Sequence, residues 1–428
     1  GMLPEVTDKE PNDDFKKPQV LNGSSLTVNG KLEKNGDVDC FAVTLKKGQT
    51  LVASLEANRT LRSPMDGVLQ IISADGFVLE ENNDFHGLDP QLAFEVPKDG
   101  TYVVRVFAFP ATPDSSIRFA GAETYLYRLT LTTGGFADHA FPMAAQRDKP
   151  GSVEALGWNI PAGTTVAVPK GGEFATLVSP AFATSVRVRL EPHPVLKSVT
   201  PETSPPFSAA GRVEKPGAIA AFRFAAKKGK ALSVQVQSRE YSLALSPVVV
   251  VRDAEGKQLA RAEPPALGSD TALSFTPAAD GVFAVEVSDL FAGGGRRHAF
   301  LLRVVPVEPD YELTVAADRF TLAPGKPTTI PVKVVRKNGF AKPVEVVAEG
   351  LPEGVKLQVV PPAGKPDPAL MNVSLSAEKP VSPGAFRLAG RVKDEPALGR
   401  AARFVPAPAD GGAPTNHLWL TVLPTPGK

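Results

Sequence analysis

One cysteine, Cys40, occurs among 428 residues, so no internal disulfide can brace the chain; the compartment stays open on cysteine alone. The five histidines (His86, His139, His193, His298, His417) are scattered and show none of the short spacings that hold zinc. No apolar run approaches the roughly 18 residues a membrane-spanning helix needs. Neither charge sign is in excess, with 47 Lys plus Arg against 46 Asp plus Glu, which argues against a general binder of nucleic acid or anionic membrane. Helical spacing is nearly absent; the one short helical turn expected lies near 89–94. There is no His-Glu-x-x-His, no Gly-x-Ser-x-Gly, no phosphate-cradling loop and no dinucleotide fingerprint. Carboxylate pairs are plentiful, but a glycosidase pair is recognised by geometry alone, and no catalytic residue is assigned.

What the chain does have is punctuation. Forty-two Pro and 37 Gly are spread along it, between short runs such as "CFAVTL", "TLVASLEA", "TYVVRVFAF", "YLYRLTLTT", "ALSVQVQS" and "FLLRVV". Turn signals ("KNGD", "SADG", "PKDG", "DAEG", "AADG") sit between those runs, the pattern of antiparallel strands in sandwiches or barrels. The fold class expected is all-β, and the length suits about three domains of roughly 150 residues. The opening "GMLPEV" reads as a chain that starts after a removed leader, with Gly1 a tag remnant.

The chain also repeats itself. "GKLEKNGDVDCF" (30–41) runs in register with "GRVEKPGAIAAF" (211–222), "LKKG" (45–48) with "AKKG" (226–229), and "GVLQIISADG" (67–76) with "PVVVVRDAEG" (247–256) after a one-residue slip. "VPKDGTYVVRV" matches "TPAADGVFAVEV", and "YLYRLTL" and "AFLLRVV" close the two copies. Gly and Asp-Gly supply the turns, and alternating apolar residues supply the inner faces of a sandwich. Asp37 and Asp39 of the first copy face Ala218 and Ala220 of the second.

"EPNDD", "GDVDCF", the Asp of "SPMDGVLQI", "SADG" and "PKDGTYVVRV" together resemble the bacterial pre-peptidase C-terminal (PPC) domain. The resemblance covers residues 5–132 well and 198–307 loosely. It implies a jelly-roll-like β-sandwich of the kind found beside secreted proteases and other exported bacterial enzymes; some relatives bind collagen and hold calcium near their N-terminal segment. Two departures stand out: Cys40 replaces the usual aromatic, and the second copy has lost most acidic positions.

Calcium takes six to eight oxygen ligands, and neighbouring carboxylates repel unless something compensates. "DKEPNDD" offers Asp8, Glu10, Asn12, Asp13 and Asp14; "NGDVDC" adds Asp37 and Asp39. The resemblance implies that the two stretches meet, and the metal set expected is Glu10, Asn12, Asp13, Asp37 and Asp39, with calcium as the cofactor. Aligning "EPHPV" (191–195) with the acidic stretch keeps Glu191 and puts His193 and Pro194 at Asn12 and Asp13, so both halves of the set vanish together. The alternative is turn chemistry, since Asp bonds nearby backbone and tolerates turn geometry, with "EPNDD" a solvated tail.

Other polar features read as structural. "ENNDFHGLD" (81–89) fits a long hairpin turn, Asp66 a loop anchor before a strand, and Cys40 a buried, inert thiol. Tyr102, Phe107 and Phe109 fall on a strand whose alternation points most such residues inward. The expected modules are a PPC-like sandwich at 1–133, a small β linker module at 134–197 in which Trp158 is core or interface, and a degenerate PPC-like sandwich at 198–307. The last of these opens on an extended Pro-rich joint, 198–207. Residues 308–428 resemble a bacterial immunoglobulin-like sandwich, without a cysteine pair and with a hairpin at "RKNGF".

The functional expectation is a non-catalytic, exported multi-module protein that binds or displays at the cell surface or outside the cell, with extracellular protein or polysaccharide as partner. It would be secreted, periplasmic or surface-held. The alternatives are an accessory or targeting region of a secreted peptidase, which rests on the resemblance alone, and a hydrolase without a recognisable signature. No ligand-binding residue is assigned.

Overall fold

The computed structural model describes residues 3–112, 118–360, 367, 369–405 and 415–423; Gly1 lies outside them. The regular structure is nearly all strand, and the chain forms two compact units, Gly1–Ala57 with Met65–Val307, and Asn58–Pro64 with Glu308–Lys428.

The first unit opens with a two-sheet sandwich. Its strands are β1 (Glu5–Thr7), β2 (Gln19–Val20), β3 (Ser25–Lys31), β4 (Asp39–Leu45), β5 (Thr50–Glu56), β6 (Met65–Ile72), β7 (Val78–Asn82), β8 (Gln91–Glu95), β9 (Gly100–Pro110) and β10 (Leu126–Thr132). One sheet runs β1-β3-β10-β5-β8 and the other β2-β4-β9-β6-β7. Period-two alternation sends Tyr102, Val104, Val106 and Ala108 of β9 and Tyr127, Leu129 and Leu131 of β10 into one core with Phe41 and Leu51. The expected helical turn near 89–94 is instead strand β8, paired with β5, because Leu92, Phe94 and Val96 bury every second side chain.

A second sandwich follows. Between them lie β11 (Phe136–Phe141), β12 (Ala144–Gln146), β13 (Ser152–Trp158), β14 (Thr165–Ala167), β15 (Phe174–Leu177) and β16 (Val186–Glu191), in two three-stranded sheets around a core of small and branched side chains. Then come β17 (Val195–Leu196), β18 (Phe207–Arg212), β19 (Ala220–Ala226), β20 (Leu232–Gln237), β21 (Pro247–Arg252), β22 (Gln258–Ala262), β23 (Thr271–Phe275), β24 (Gly281–Asp289) and β25 (Ala299–Pro306). Their sheets, β17-β18-β25-β20-β23 and β19-β24-β21-β22, follow the order of the first sandwich strand for strand, except that no strand among the described residues takes the place of β2. The match extends to single bonds. Gly48 N donates to Val96 O and Gly229 N to Pro277 O, each at 2.9 Å. Lys47 N and Lys228 N each donate to the Asp of the Asp-Gly turn, Asp99 and Asp280, at 2.7 Å. The tight turn closed by Gly76 N to Ser73 O is repeated by Gly256 N to Asp253 O, and both glycines have positive φ.

This register changes two expectations. Thr27 N donates to Pro4 O, and Ser208 N donates to Pro194 O, both at 2.9 Å. Pro194 therefore occupies the place of Pro4 rather than of Asp13, and "EPHPV" leads into the first strand where "EPNDD" follows it. The counterpart of "DKEPNDD" is "SVTPETS" (198–204). Residues 197–206 are accordingly the link between β17 and β18 inside the second sandwich, not a joint before it.

The 81–89 stretch is not the hairpin turn expected: Glu81 and Asn82 end β7, and the loop after them crosses to β8 in the other sheet, carrying an apolar peg. Phe85 stands 6.0 Å from the half-buried Trp158 ring and 4.0 Å beneath the Arg297 guanidinium. Arg297 Nε donates to Asp138 Oδ2 at 3.1 Å, and Asn159 Nδ2 donates to Thr50 O at 2.9 Å.

The second unit holds β26 (Asp310–Val315), β27 (Arg319–Leu322), β28 (Thr328–Lys337), β29 (Glu345–Glu349), β30 (Lys356–Val360), β31 (Leu370–Ser376), β32 (Gly384–Arg391), β33 (Arg400–Phe404) and β34 (Leu418–Val422). They run β27-β34-β32-β33-β26-β28-β31-β30, with β29 on β32, around a core that includes Tyr311, Ile330, Val332 and Phe386. At "RKNGF" Asn338 and Gly339 both take positive φ, and Phe340 N closes the turn on Lys337 O at 3.0 Å. The turn is as expected; the hairpin is not. Both edges of β28 are already taken, by β26 and β31, so the chain crosses to pair β29 with β32.

Candidate metal centre

After β1 the chain stays on the edge of the sandwich, with Asp8 N bonded to Asn29 O at 3.0 Å. It then turns through a cis Glu10–Pro11 bond and reaches β4, where Cys40 N donates to Asn12 O at 3.2 Å and Val38 N to Asp13 Oδ1 at 3.4 Å. The acidic N-terminal segment is thereby laid against Asp37 and Asp39, which stand at the loop before β4 and at its first position.

Two groups result. Carboxylate oxygens of Asp8, Glu10 and Asp39 lie within 4.8 Å of one another, as do those of Glu10, Asp13 and Asp37. Glu10 belongs to both. The five expected ligands are thus together, with Asn12 buried beside Asp8 and donating Nδ2 to its Oδ1 at 2.7 Å. Asp8, named in the sequence but left out of the expected set, belongs to the cluster. Asp14 does not; it is exposed and accepts a bond from Lys16 N at 2.9 Å.

The electrostatics are those of a crowded corner, buried at Asp37 and Asp39 and open to solvent at Glu10 and Asp13. Asp39 is fully buried; burial, reinforced by Asp8, pushes its carboxyl up to about 9. Burial likewise raises Asp37 and Asp8 to about 6, with Glu10 adding to the rise at both. One oxygen of Asp39 accepts a bond from the Tyr127 hydroxyl. Its other oxygen, Oδ1, and Asn12 Oδ1 are buried without a hydrogen-bond partner among the described residues. Buried acceptors left unsatisfied cost about 1–3 kcal/mol each, and converging, unbonded oxygens are what a hard cation binds. The residues present fit calcium on that count.

Tyr127 is the residue that pattern reading missed. It sits across from Gly30 on the neighbouring strand, and a Cβ on Gly30 would collide with its ring. The second sandwich repeats this packing with Gly211 and Phe300. There the hydroxyl is lost together with its acceptor, because Ala220 occupies the register position of Asp39. The signal was present in the sequence as Tyr against Phe in "YLYRLTL" and "AFLLRVV".

Glu191 and His193 belong elsewhere. Glu191 ends β16, fully buried, and accepts from Arg303 Nε at 2.5 Å; Arg189 Nε stands 3.2 Å away as an ion pair. Burial opposes its ionisation, but the two arginines outweigh that and hold its carboxyl below the usual range. His193 Nε2 lies 2.9 Å from Ser208 Oγ.

Asp66, Cys40, Phe107 and Phe109 are placed differently from expectation. Asp66 lies inside β6 opposite Phe109 rather than ahead of the strand; burial, with Asp84 nearby, raises it to about 6. Cys40 is buried, and burial pushes its thiol up to about 12, so it is inert. It is covered from outside the sandwich, however, packing with Phe15, Ile72 and Val103. Tyr102 points into the core, whereas Phe107 and Phe109 have the opposite parity and stack with Phe119 on the outer face at 4.5 and 5.7 Å.

Residues 37–108 match the bacterial pre-peptidase C-terminal domain, a stretch that begins at Asp37. A probable subtilase-type serine protease of Deinococcus radiodurans is 32% identical over 98 residues, which is 23% of this chain and 14% of that protein. The chain therefore covers a small part of that relative. Among solved structures, the M60 catalytic domain with two CBM51 domains of Clostridium perfringens ZmpB overlaps 86% of this chain and 40% of its own, at 9% identity and a TM-score of 0.23. The fibronectin(III)-like modules of Clostridium thermocellum CbhA overlap 46% and 87%, at 13% identity and a TM-score of 0.16.

Proposed function

We propose that this is a non-catalytic, exported binding or display protein built of β-sandwiches, and that calcium ties the N-terminal segment of the first sandwich to its β4 edge. The observation that carries the calcium reading is Asp39 Oδ1, buried and unbonded inside the carboxylate cluster. Asp8, Glu10, Asp13, Asp37 and Asp39 would hold the ion with the Asn12 side-chain oxygen. It would supply positive charge to a corner that otherwise keeps protons at neutral pH. The second sandwich, with alanines at both aspartate positions, is read as a degenerate copy of the same family acting as a spacer. The last module is read as immunoglobulin-like, and the partner as extracellular protein or polysaccharide.

A second reading is an accessory or targeting region of a secreted peptidase, supported by the stretch shared with the subtilase-type protease. The test of the calcium reading is direct titration of the full chain, first stripped with chelator, by calorimetry. One site is expected, lost in Asp39→Ala. Heat-silent titration together with an unchanged melting temperature in millimolar calcium would return both aspartates to turn chemistry. For the display reading, binding of the full chain to immobilised extracellular protein or polysaccharide is the decisive assay, and hydrolysis of either by the purified chain would refute it.

A further inference from the structure

The two sandwiches differ at one sheet edge. In the first, residues 8–24 join β1 to β3 and cover the edge of β4. Cys40 N is taken by Asn12 O, strand β2 pairs parallel with Phe41 and Ala42, and Leu21 N donates to Ala42 O at 3.0 Å. Leu21 then enters the core, where Phe41 is fully buried. In the second sandwich the link is only residues 197–206, and it touches the edge once, through Ala225 N to Thr203 O at 2.7 Å.

The register places Ala221 and Arg223 at the positions of Cys40 and Ala42, so their backbone groups face away from β24. No hydrogen bond to them occurs on that side among the described residues. Ile219 is 61% exposed, Ala221 and Arg223 are exposed, and Phe222 is only partly covered where its counterpart Phe41 is sealed. The Arg223 guanidinium has no ion-pair partner among the described residues. A row of open backbone groups is a template for another strand, and β-strand addition is an established way to recognise an extended peptide.

We propose that the β19 edge is a docking site for an extended segment of a partner polypeptide, running parallel to β19 as β2 runs to β4. Arg223 N–H and C=O would bond the segment's backbone. The residue beside Arg223, at the place of Val20, would carry a carboxylate to meet the guanidinium. The next residue, at the place of Leu21, would be a branched aliphatic that covers Phe222. The first sandwich supplies the pattern of this cap, and the unpaired cation supplies the charge preference.

The probe is a fluorescent octapeptide with the sequence of residues 17–24 carrying Val20→Glu, titrated against the full chain by anisotropy. Saturable binding is expected, about tenfold weaker with Arg223→Ala and lost with Arg223→Pro, which removes the bonding N–H. Proline at an outward-facing edge position leaves the ladder intact, so the melting temperature should hold. If it does not, protection of the Arg223 amide from hydrogen exchange on adding peptide to the unaltered chain decides the matter. Absence of binding, or binding indifferent to both substitutions and without protection at Arg223, overturns the proposal. Concentration-dependent dimers of the chain that disappear in Arg223→Pro would overturn it as well, in favour of a second copy as the occupant.

Discussion

The first and second sandwiches share strand order, turn bonds and the Gly-against-aromatic packing of Gly30 on Tyr127 and Gly211 on Phe300, yet one holds a carboxylate cluster, with Asp37 and Asp39 buried, where the other has alanines. The fold forms without the cluster. Burying acidic groups without partners opposes folding, so the carboxylates of the first sandwich are not there to make the fold. That difference is what the calcium proposal rests on, at the corner where the N-terminal segment meets β4.

The comparison breaks most visibly with pH in the metal-free chain. Asp39, raised to about 9, and Asp8 and Asp37, raised to about 6, hold protons in the folded state that the unfolded chain has already released. Stability of the first sandwich should be fully present below about pH 4 and fall as pH rises, first through about 6 and then towards 9, by several kcal/mol in total. Glu191, held low by arginines, acts with the opposite sign: the stability it lends the junction of β16 with β25 is lost as pH falls. Hydrogen exchange resolved by module, from pH 5 to 9, checks both slopes, and parallel slopes would refute the contrast.

Calcium should act on one copy alone. At a hundredfold excess over its dissociation constant it adds about 2.7 kcal/mol to the first sandwich, flattens its pH slope and leaves exchange in the second unchanged. Asp39→Ala should remove the response.

Packing is where the copies should agree. Gly30→Ala and Gly211→Ala each drive a methyl into a ring, and both should destabilise by about 1–3 kcal/mol in denaturant melts. The hydroxyl should then separate them. Tyr127→Phe strips Asp39 of its donor, and Phe300→Tyr buries a hydroxyl opposite Ala220; each should cost about 1–2 kcal/mol. A neutral Phe300→Tyr would mean that the second copy's corner admits water. The smallest effect is Lys227→Ala, whose pair with Asp280 is exposed on both sides and should leave the denaturation midpoint nearly unchanged.

Local rules carried much of this. The Asp-Gly and Lys-Gly turns, the strand alternation and the internal repeat are short-range features, and the bonds at Gly48 and Gly229, or Gly76 and Gly256, appear where those rules put them. The turn at Asn338–Gly339 shows their limit: its φ values follow from the dipeptide, but the pairing of β28 was decided by which edges were already occupied. The same limit applies to "EPHPV", where similarity of letters suggested one alignment and the Pro4 and Pro194 bonds imposed another. Phe107 and Phe109 were misplaced because alternation gives parity and not which face is inward.

By itself the sequence determined an all-β chain of repeated sandwiches and offered two acidic stretches; that Glu10, Asn12, Asp13, Asp37 and Asp39 meet was implied only by the family resemblance. Only the tertiary structure decided that Asp8 and Tyr127 complete that corner, and that a shortened link leaves the edge of β19 open. Composition and period are properties of a segment. Burial, orphaned oxygens and uncovered edges depend on what another segment, distant in the chain, does or does not bring against it.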